Sequence, residues 1–147
     1  MRGVPKLFLT GLICAFLVLN TQAQAPRKVL VDFKETTLKN GLHVITVEDH
    51  TAPVIALSVT YNVGSRNERQ GRTGFAHLFE HMMFKGSENV GQNEHPYLMF
   101  MNGGTMNGTT SKDRTLYYET LPANQLDLAL FLEADRMRAL TITKENL

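Results

Sequence analysis

Two histidines and a glutamate follow the pattern H-x-x-E-H between His77 and His81. Residues of a helix advance by about 100° each, so, measured from His77, His81 lies at about 40° and Glu80 at about 300°. Apolar residues fill the other side of the wheel: Phe75, Ala76, Leu78, Phe79, Met82 and Met83. The pattern predicts a short helix over residues 73–85 that is apolar except for one edge, which holds two imidazoles and a carboxylate.

The polar edge of this helix has two interpretations. It can face water, as the polar stripe of any amphipathic surface helix does. Against this, the segment between Thr73 and Phe84 contains no Lys or Arg, although solvated stripes usually do. The broad apolar side also suggests that the helix lies inside the fold. Buried ionisable groups need partners, and a divalent metal ion would serve both histidines.

The first 23 residues have the pattern of a secretory signal peptide. Arg2 and Lys6 precede a largely apolar run, residues 7–19, that is too short to span a bilayer comfortably. Small residues favour cleavage after Ala23, and an uncleaved membrane anchor is the alternative. We therefore expect a secreted, periplasmic protein in which residues 24–147 have no membrane contact after cleavage.

Charge and cysteine content narrow the function classes. Lys and Arg total 15 against 14 Asp and Glu, and loss of Arg2 and Lys6 with the signal changes the formal net charge from +1 to about −1. The chain has no excess of basic residues that would indicate a nucleic-acid partner. Cys14 is the one cysteine and lies in the predicted signal, so the exported chain depends on packing and metal for its stability.

The remaining chain mixes strands and helices without strict alternation, which predicts an α+β fold. Thr143 resembles the start of a further helix, so we expect the chain to be the front part of a longer protein. The predicted elements are a short strand at 29–33, a hairpin turning at Asn40-Gly41, strands at 54–63, 105–110 and 114–121, and helices at 73–85, 94–101 and 123–140.

Several stretches outside the H-x-x-E-H run carry a wider pattern. Around it the matching positions are Gly64, Gly74, Ala76, Leu78, Phe79, Met82, Phe84, Gly86 and Ser87. Elsewhere they are Leu38-x-Asn40-Gly41-Leu42, Val59-x-Tyr61-x-Val63-Gly64-Ser65, Gly103-Gly104-x-x-Asn107, Asp113-Arg114-Thr115-x-Tyr117-Tyr118 and Ala134-Asp135-Arg136-Met137. In type and spacing these residues resemble the insulinase/pitrilysin family of zinc metallopeptidases, most of all its bacterial and mitochondrial-processing-peptidase-like branch.

The resemblance implies an α+β domain with a mixed sheet and helices packed on one side. Residues 24–147 would be the N-terminal part of the catalytic domain. In the family, several such domains, in one chain or in two subunits, close around an unfolded peptide. The expected partners are therefore a peptide substrate and a homologous second domain or partner subunit.

The resemblance also assigns the site residues. His77 and His81 would bind one Zn²⁺, and Glu80 would be the general base that activates a zinc-bound water and passes its proton to the leaving amine. The third ligand would be a glutamate roughly 75 residues after His81, beyond Leu147. We therefore expect residues 24–147 alone to bind zinc weakly and to lack useful peptidase activity.

Asn107 is a candidate substrate-binding residue. It follows the family's Gly-Gly-x-x-Asn pattern, but here Gly108 replaces the alanine that often comes next. A polar residue in a sheet-edge turn is the alternative, and the sequence leaves both open. Other histidines and acids are interpreted as surface or packing residues: His43, His50, His95 and Glu133.

Taken together, the sequence predicts a zinc-dependent metalloendopeptidase that cleaves unfolded peptides or precursor segments. The alternative is a non-catalytic assembly or substrate-holding subunit of a peptidase-like complex. Such subunits have lost the metal motif, which is intact here. A metal-storage module is a third interpretation, and the chain has no His-rich tract to favour it.

Overall fold

The computed structural model describes residues 31–147, so the predicted signal peptide, residues 1–23, lies outside the described residues. The chain divides into two units, residues 1–48 and 49–147. The described part of the first is a hairpin of β1 (Lys34–Thr37) and β2 (His43–Thr46). Asn40 Oδ1 accepts the Leu42 N–H at 3.1 Å, and Gly41 has a φ of 89°, which glycine adopts without strain. The predicted Asn-Gly hairpin is confirmed, whereas residues 31–33 of the predicted first strand are not in a strand.

The second unit contains one antiparallel sheet. Its strands are β3 (Val54–Tyr61), β4 (Thr105–Thr110) and β5 (Thr115–Pro122), in the order β3-β5-β4. The α+β class is confirmed. Every strand pair within residues 31–147 is antiparallel, so the expected mixed sheet shows no parallel pair in this part of the chain.

Three helices cover one face of this sheet: α1 (Phe75–Met82), α2 (Glu94–Met101) and α3 (Leu126–Arg138). Alternation along β5 buries every second side chain beneath them, which places the core on that face. The core consists of Val90, Met99, Leu121, Ala129 and Leu132. No helix in the described residues has the length and apolar character needed to cross a membrane.

Helix α1 is shorter and less buried than the sequence predicts. It spans eight residues, and only Met82 is buried. Phe75, Leu78 and Phe79 remain 46%, 38% and 47% exposed. The expectation that α1 lies inside the fold is therefore wrong for this unit, because the sheet covers only part of the apolar side.

Candidate metal centre

The position of α1 depends on a carboxylate from the preceding loop. Gly74, which precedes the helix, offers no side chain to its unpaired N–H groups. Glu68 supplies both oxygens instead: Oε2 accepts the Gly74 N–H at 2.8 Å, and Oε1 accepts the Ala76 N–H at 2.9 Å. The N–H groups of Ala76 and Gly74 hold the pKa of Glu68 below its usual range. The first turn of α1, which contains His77, is thus capped by an anion.

His77 and His81 lie on successive turns of α1 and face each other. Their Nε2 atoms are 3.0 Å apart, and the ring centroids are 4.7 Å apart. Two nitrogens that each lie about 2.0–2.1 Å from one tetrahedral zinc ion are about 3.3 Å apart. The pair therefore has nearly the spacing that a single zinc ion requires.

Both histidines are exposed, so burial does not force them to take a metal partner. The expectation that these histidines are buried, and therefore need a metal partner, is wrong. What favours a metal site is the convergence of two ring nitrogens that would otherwise be free to point into solvent.

Glu80 is half-buried against β4. Its Oε2 accepts a hydrogen bond from the Thr110 hydroxyl. A cavity of about 480 Å³ opens beside it, lined by Ser65, His77, Glu80 and residues 108–112. The helix thus presents a carboxylate, held by one oxygen, to a space large enough for part of a peptide.

Asn107 lies on the opposite face of the sheet from Glu80. The side chains of β4 alternate, and the missing Cβ of Gly108 is the one directed at Glu80. Asn107 is exposed, and its Oδ1 accepts the Gly108 N–H at 2.8 Å. The structure therefore brings His77, Glu80 and His81 together and leaves Asn107 apart; substrate contact by Asn107 stays a prediction.

A second group of residues that could bind a metal is buried between the sheet and the helices. Ligand atoms of His95, Glu119 and Glu133 lie within 4.8 Å of one another. Arg136 already fills this position: its Nε donates to Glu133 Oε2 at 3.0 Å, and a second nitrogen lies 3.6 Å from Glu119 Oε1. The guanidinium also lies 4.5 Å from the Tyr117 ring centroid. We interpret the group as an ion-pair network, because a metal ion here would have to displace a buried cation.

Burial sets the charges in this network. It lowers the pKa of His95 to about 4, aided by the nearby charge of Arg136, and it raises the pKa of Glu133 to about 7 against the effect of Arg136. Burial also raises the pKa of Glu119. His95 is therefore neutral at pH 7, and Glu133 retains a proton up to nearly that pH. His95 and Glu133 are both buried, as expected of packing residues, and their not being metal ligands stays a prediction.

Another cavity, of about 490 Å³, lies on the apolar side of α1. Its walls include Tyr61, Phe75, Phe79, Met83 and Tyr117. Neither His77 nor Glu80 lines it. The chemistry therefore favours the cavity beside Glu80 as the functional one.

Sequence reasoning missed the residues that support α1 from a distance. Thr110 contacts Glu80 from 30 positions along the chain, and Glu68 caps the helix from the preceding loop. Neither has a local signal in the sequence. Gly108 offered the one clue, because an isolated glycine within a strand often marks a close approach of another element.

Sequence comparisons match most of the chain to known proteins. The sequence model described as Insulinase (Peptidase family M16) matches residues 43–147. The zinc protease PqqE of Helicobacter pylori is 36% identical over 139 residues, which cover 94% of this chain and 31% of that protein.

Solved structures show the same fold. The crystal structure of a protease from Helicobacter pylori matches with a TM-score of 0.76 and 38% identity, covering 80% of this chain and 28% of that one. The periplasmic protease PqqL from Escherichia coli matches with a TM-score of 0.73 and 26% identity, covering 80% of this chain and 14% of that one. The chain thus spans less than a third of the length of each of these relatives.

Proposed function

The chain belongs to the insulinase family of peptidases, family M16, and from this we propose that the whole protein is a zinc-dependent metalloendopeptidase. Its substrates would be unfolded peptides or precursor segments. The observation that carries the proposal is the 3.0 Å approach of the His77 and His81 Nε2 atoms beside Glu80. A solvated helix edge does not require two rings to converge on one point.

His77 and His81 would hold the zinc ion through their Nε2 atoms. When bound, zinc supplies Lewis acidity, which lowers the pKa of water and polarises a carbonyl oxygen. A third ligand, expected to be a glutamate, would complete the set from beyond Leu147. The two imidazoles would thus provide two of the three protein ligands that a catalytic zinc site needs.

Glu80 would act as the general base. Its carboxylate has one oxygen committed to Thr110, which leaves Oε1 to take a proton from the attacking water and return it to the leaving amine. Because Glu80 lines the same cavity as His77, a scissile peptide in that cavity would be within reach of both.

The peptide would lie along β4. This strand is at the end of the sheet order β3-β5-β4, so one side of it has no partner strand among the described residues. Its residues 108–110 line the cavity with Glu80. Extended peptides commonly add to such an edge through main-chain hydrogen bonds, which suits substrates of varied sequence. Asn107, one residue before this stretch, would contact the substrate at the edge of the strand.

We further propose that the protein is exported to the periplasm and works with a homologous second domain or partner subunit. The signal-like first 23 residues and the similarity to a periplasmic protease support the location. The chain covers only 31% of the length of the zinc protease PqqE, which supports further domains in the complete enzyme.

The test is Glu80→Gln in the complete protein, with Glu88→Gln as the exposed control. Loss of the base should lower kcat by about 10²- to 10⁴-fold while zinc stays bound, because both histidines remain. Peptide hydrolysis and metal content should be measured on the same preparations. Unchanged hydrolysis by zinc-loaded Glu80→Gln would remove Glu80 as the base. A wild-type protein that purifies without stoichiometric zinc would instead favour a non-catalytic subunit.

A further inference from the structure

Glu80 and Thr110 form a contact between α1 and β4 that no motif includes. The Thr110 hydroxyl donates to Glu80 Oε2, and both residues are half-buried. A hydrogen bond to a charged acceptor is stronger than one between neutral groups, so this contact can fix a carboxylate that would otherwise rotate.

Gly108 allows Glu80 to approach β4 closely. A Cβ atom built on Gly108 would lie 3.1 Å from Glu80 Cγ and 3.3 Å from the Tyr117 ring. The lack of a side chain therefore lets the Glu80 stem rest directly on β4. Thr110 is two residues further along the same face of the strand, where its hydroxyl meets the carboxylate.

The direction of the Thr110 hydrogen bond is determined by its neighbours. Thr110 lies opposite Thr115 in the sheet, with the two hydroxyl oxygens 3.5 Å apart. The buried Thr115 hydroxyl donates its single proton to the Val63 carbonyl oxygen at 2.9 Å. Thr115 can therefore only accept from Thr110. The Thr110 proton is then available to the better acceptor, the Glu80 carboxylate.

We propose that Thr110 is a positioning residue for the general base. Its hydroxyl holds Oε2 of Glu80 against β4, which directs Oε1 to the cavity beside His77. This rests on the proposed role of Glu80. Because Thr110 orients a group without touching the reacting atoms, its loss should reduce kcat and leave KM nearly unchanged.

The experiment compares Thr110→Val, Thr110→Ser and Thr120→Val in the complete protein. Valine keeps the shape of threonine without the hydroxyl, serine keeps the hydroxyl, and Thr120 is exposed on the other face of the sheet. Thr110→Val should lower kcat about 10- to 100-fold, with KM within about twofold and zinc content unchanged. Thr110→Ser should restore most of the activity, and Thr120→Val should match wild type.

A second readout does not depend on activity. In the metal-free protein, the losses in unfolding midpoint caused by Thr110→Val and Glu80→Ala should be less than additive when combined, since either substitution removes the same hydrogen bond. Additive losses, or full activity of Thr110→Val, would overturn the inference. An activity loss that Thr110→Ser fails to rescue would do the same. Glu80→Gln separates the two ideas: if it is inactive while Thr110→Val is fully active, only the positioning role falls.

Discussion

Histidine side chains occur in two different environments, one shared by His77 and His81 and the other around His95. The first two are exposed on one edge of α1, where their ring nitrogens converge. His95 is only 3% exposed, and its Nε2 lies 2.8 Å from Glu119 Oε1. Burial disfavours the charged imidazole and lowers the pKa of His95 to about 4. His95 is therefore a neutral packing residue at pH 7.

The depressed pKa of His95 makes stability sensitive to acid. The imidazole binds a proton near pH 6.5 when the chain unfolds but only near pH 4 when it is folded. The stability that neutral His95 contributes is therefore fully present above pH 6.5 and is lost as the pH falls towards 4. The free energy of unfolding of wild type, relative to His95→Gln, should decrease over this range by a few kcal/mol at most, at about 1.4 kcal/mol per pKa unit.

Urea unfolding at several pH values between 7 and 4 measures this difference. Glu133 acts in the opposite direction, because its raised pKa gives stability below pH 4.5 that is lost as the pH rises through about 7. That effect is common to wild type and His95→Gln, so it largely cancels in the comparison. The control is His50→Gln, at an exposed position. A pH-independent difference would contradict the expectation.

Helix α1 shows how an element is placed by contacts that lie outside it. Glu68 caps its first turn, and Gly108 and Thr110 of β4 contact its Glu80 side chain. An eight-residue helix is too short to be stable by itself in water. The geometry of the candidate metal pair therefore depends on the loop and strand that hold the helix.

Glu68→Gln should weaken zinc binding. The amide presents one oxygen instead of two and has no charge to favour the helix N-terminus, so the turn that contains His77 should fray. Competition with a chelator at pH 7 gives the zinc affinity of each variant. Because the pKa of Glu68 is lowered in the folded state, its contribution to stability should be complete above its usual pKa. That contribution should be lost as the pH falls through the lowered, folded-state pKa.

Glu94→Gln is the matched control, because Glu94 accepts the Gly91 N–H at the start of α2 at 2.6 Å. This substitution removes a similar carboxylate cap from a helix that holds neither of the candidate zinc ligands. Equal zinc affinity for Glu68→Gln and wild type would show that the cap does not position His77.

Across the second unit, Arg136 connects elements that are distant in sequence. It is 2% exposed and pairs with Glu133 on α3 and, at 3.6 Å, with Glu119 on β5. Glu119 in turn contacts His95 on α2. Removing one member of such a buried network leaves the others without a counter-charge.

Arg136→Met should therefore lower the free energy of unfolding by about 3–5 kcal/mol, because it leaves buried carboxyls uncompensated. Arg138→Met is the control on the same helix, where the exposed pair with Glu88 should contribute about 0–1 kcal/mol. Urea unfolding at pH 7 gives both values. Equal stability of the two variants would show that the network does not hold the unit together.

Local patterns predicted most of the elements. The predicted strand at 105–110 and helix at 94–101 agree with β4 and α2, because alternation and flanking glycines are visible in a short window. The start of α1 was predicted less well, because it depends on Gly74 and on its contact with Glu68 in the preceding loop.

The sequence by itself determined the α+β class, the family resemblance and the shared edge of His77, Glu80 and His81, because helical spacing and residue type depend on near neighbours only. Only the tertiary structure decided which histidines are exposed, which face of β4 meets Glu80, and that Thr110 and Arg136 support the site and the core. These features arise from contacts between residues far apart in the chain, such as the 30 positions between Glu80 and Thr110, where burial and hydrogen-bond partners depend on how the elements pack.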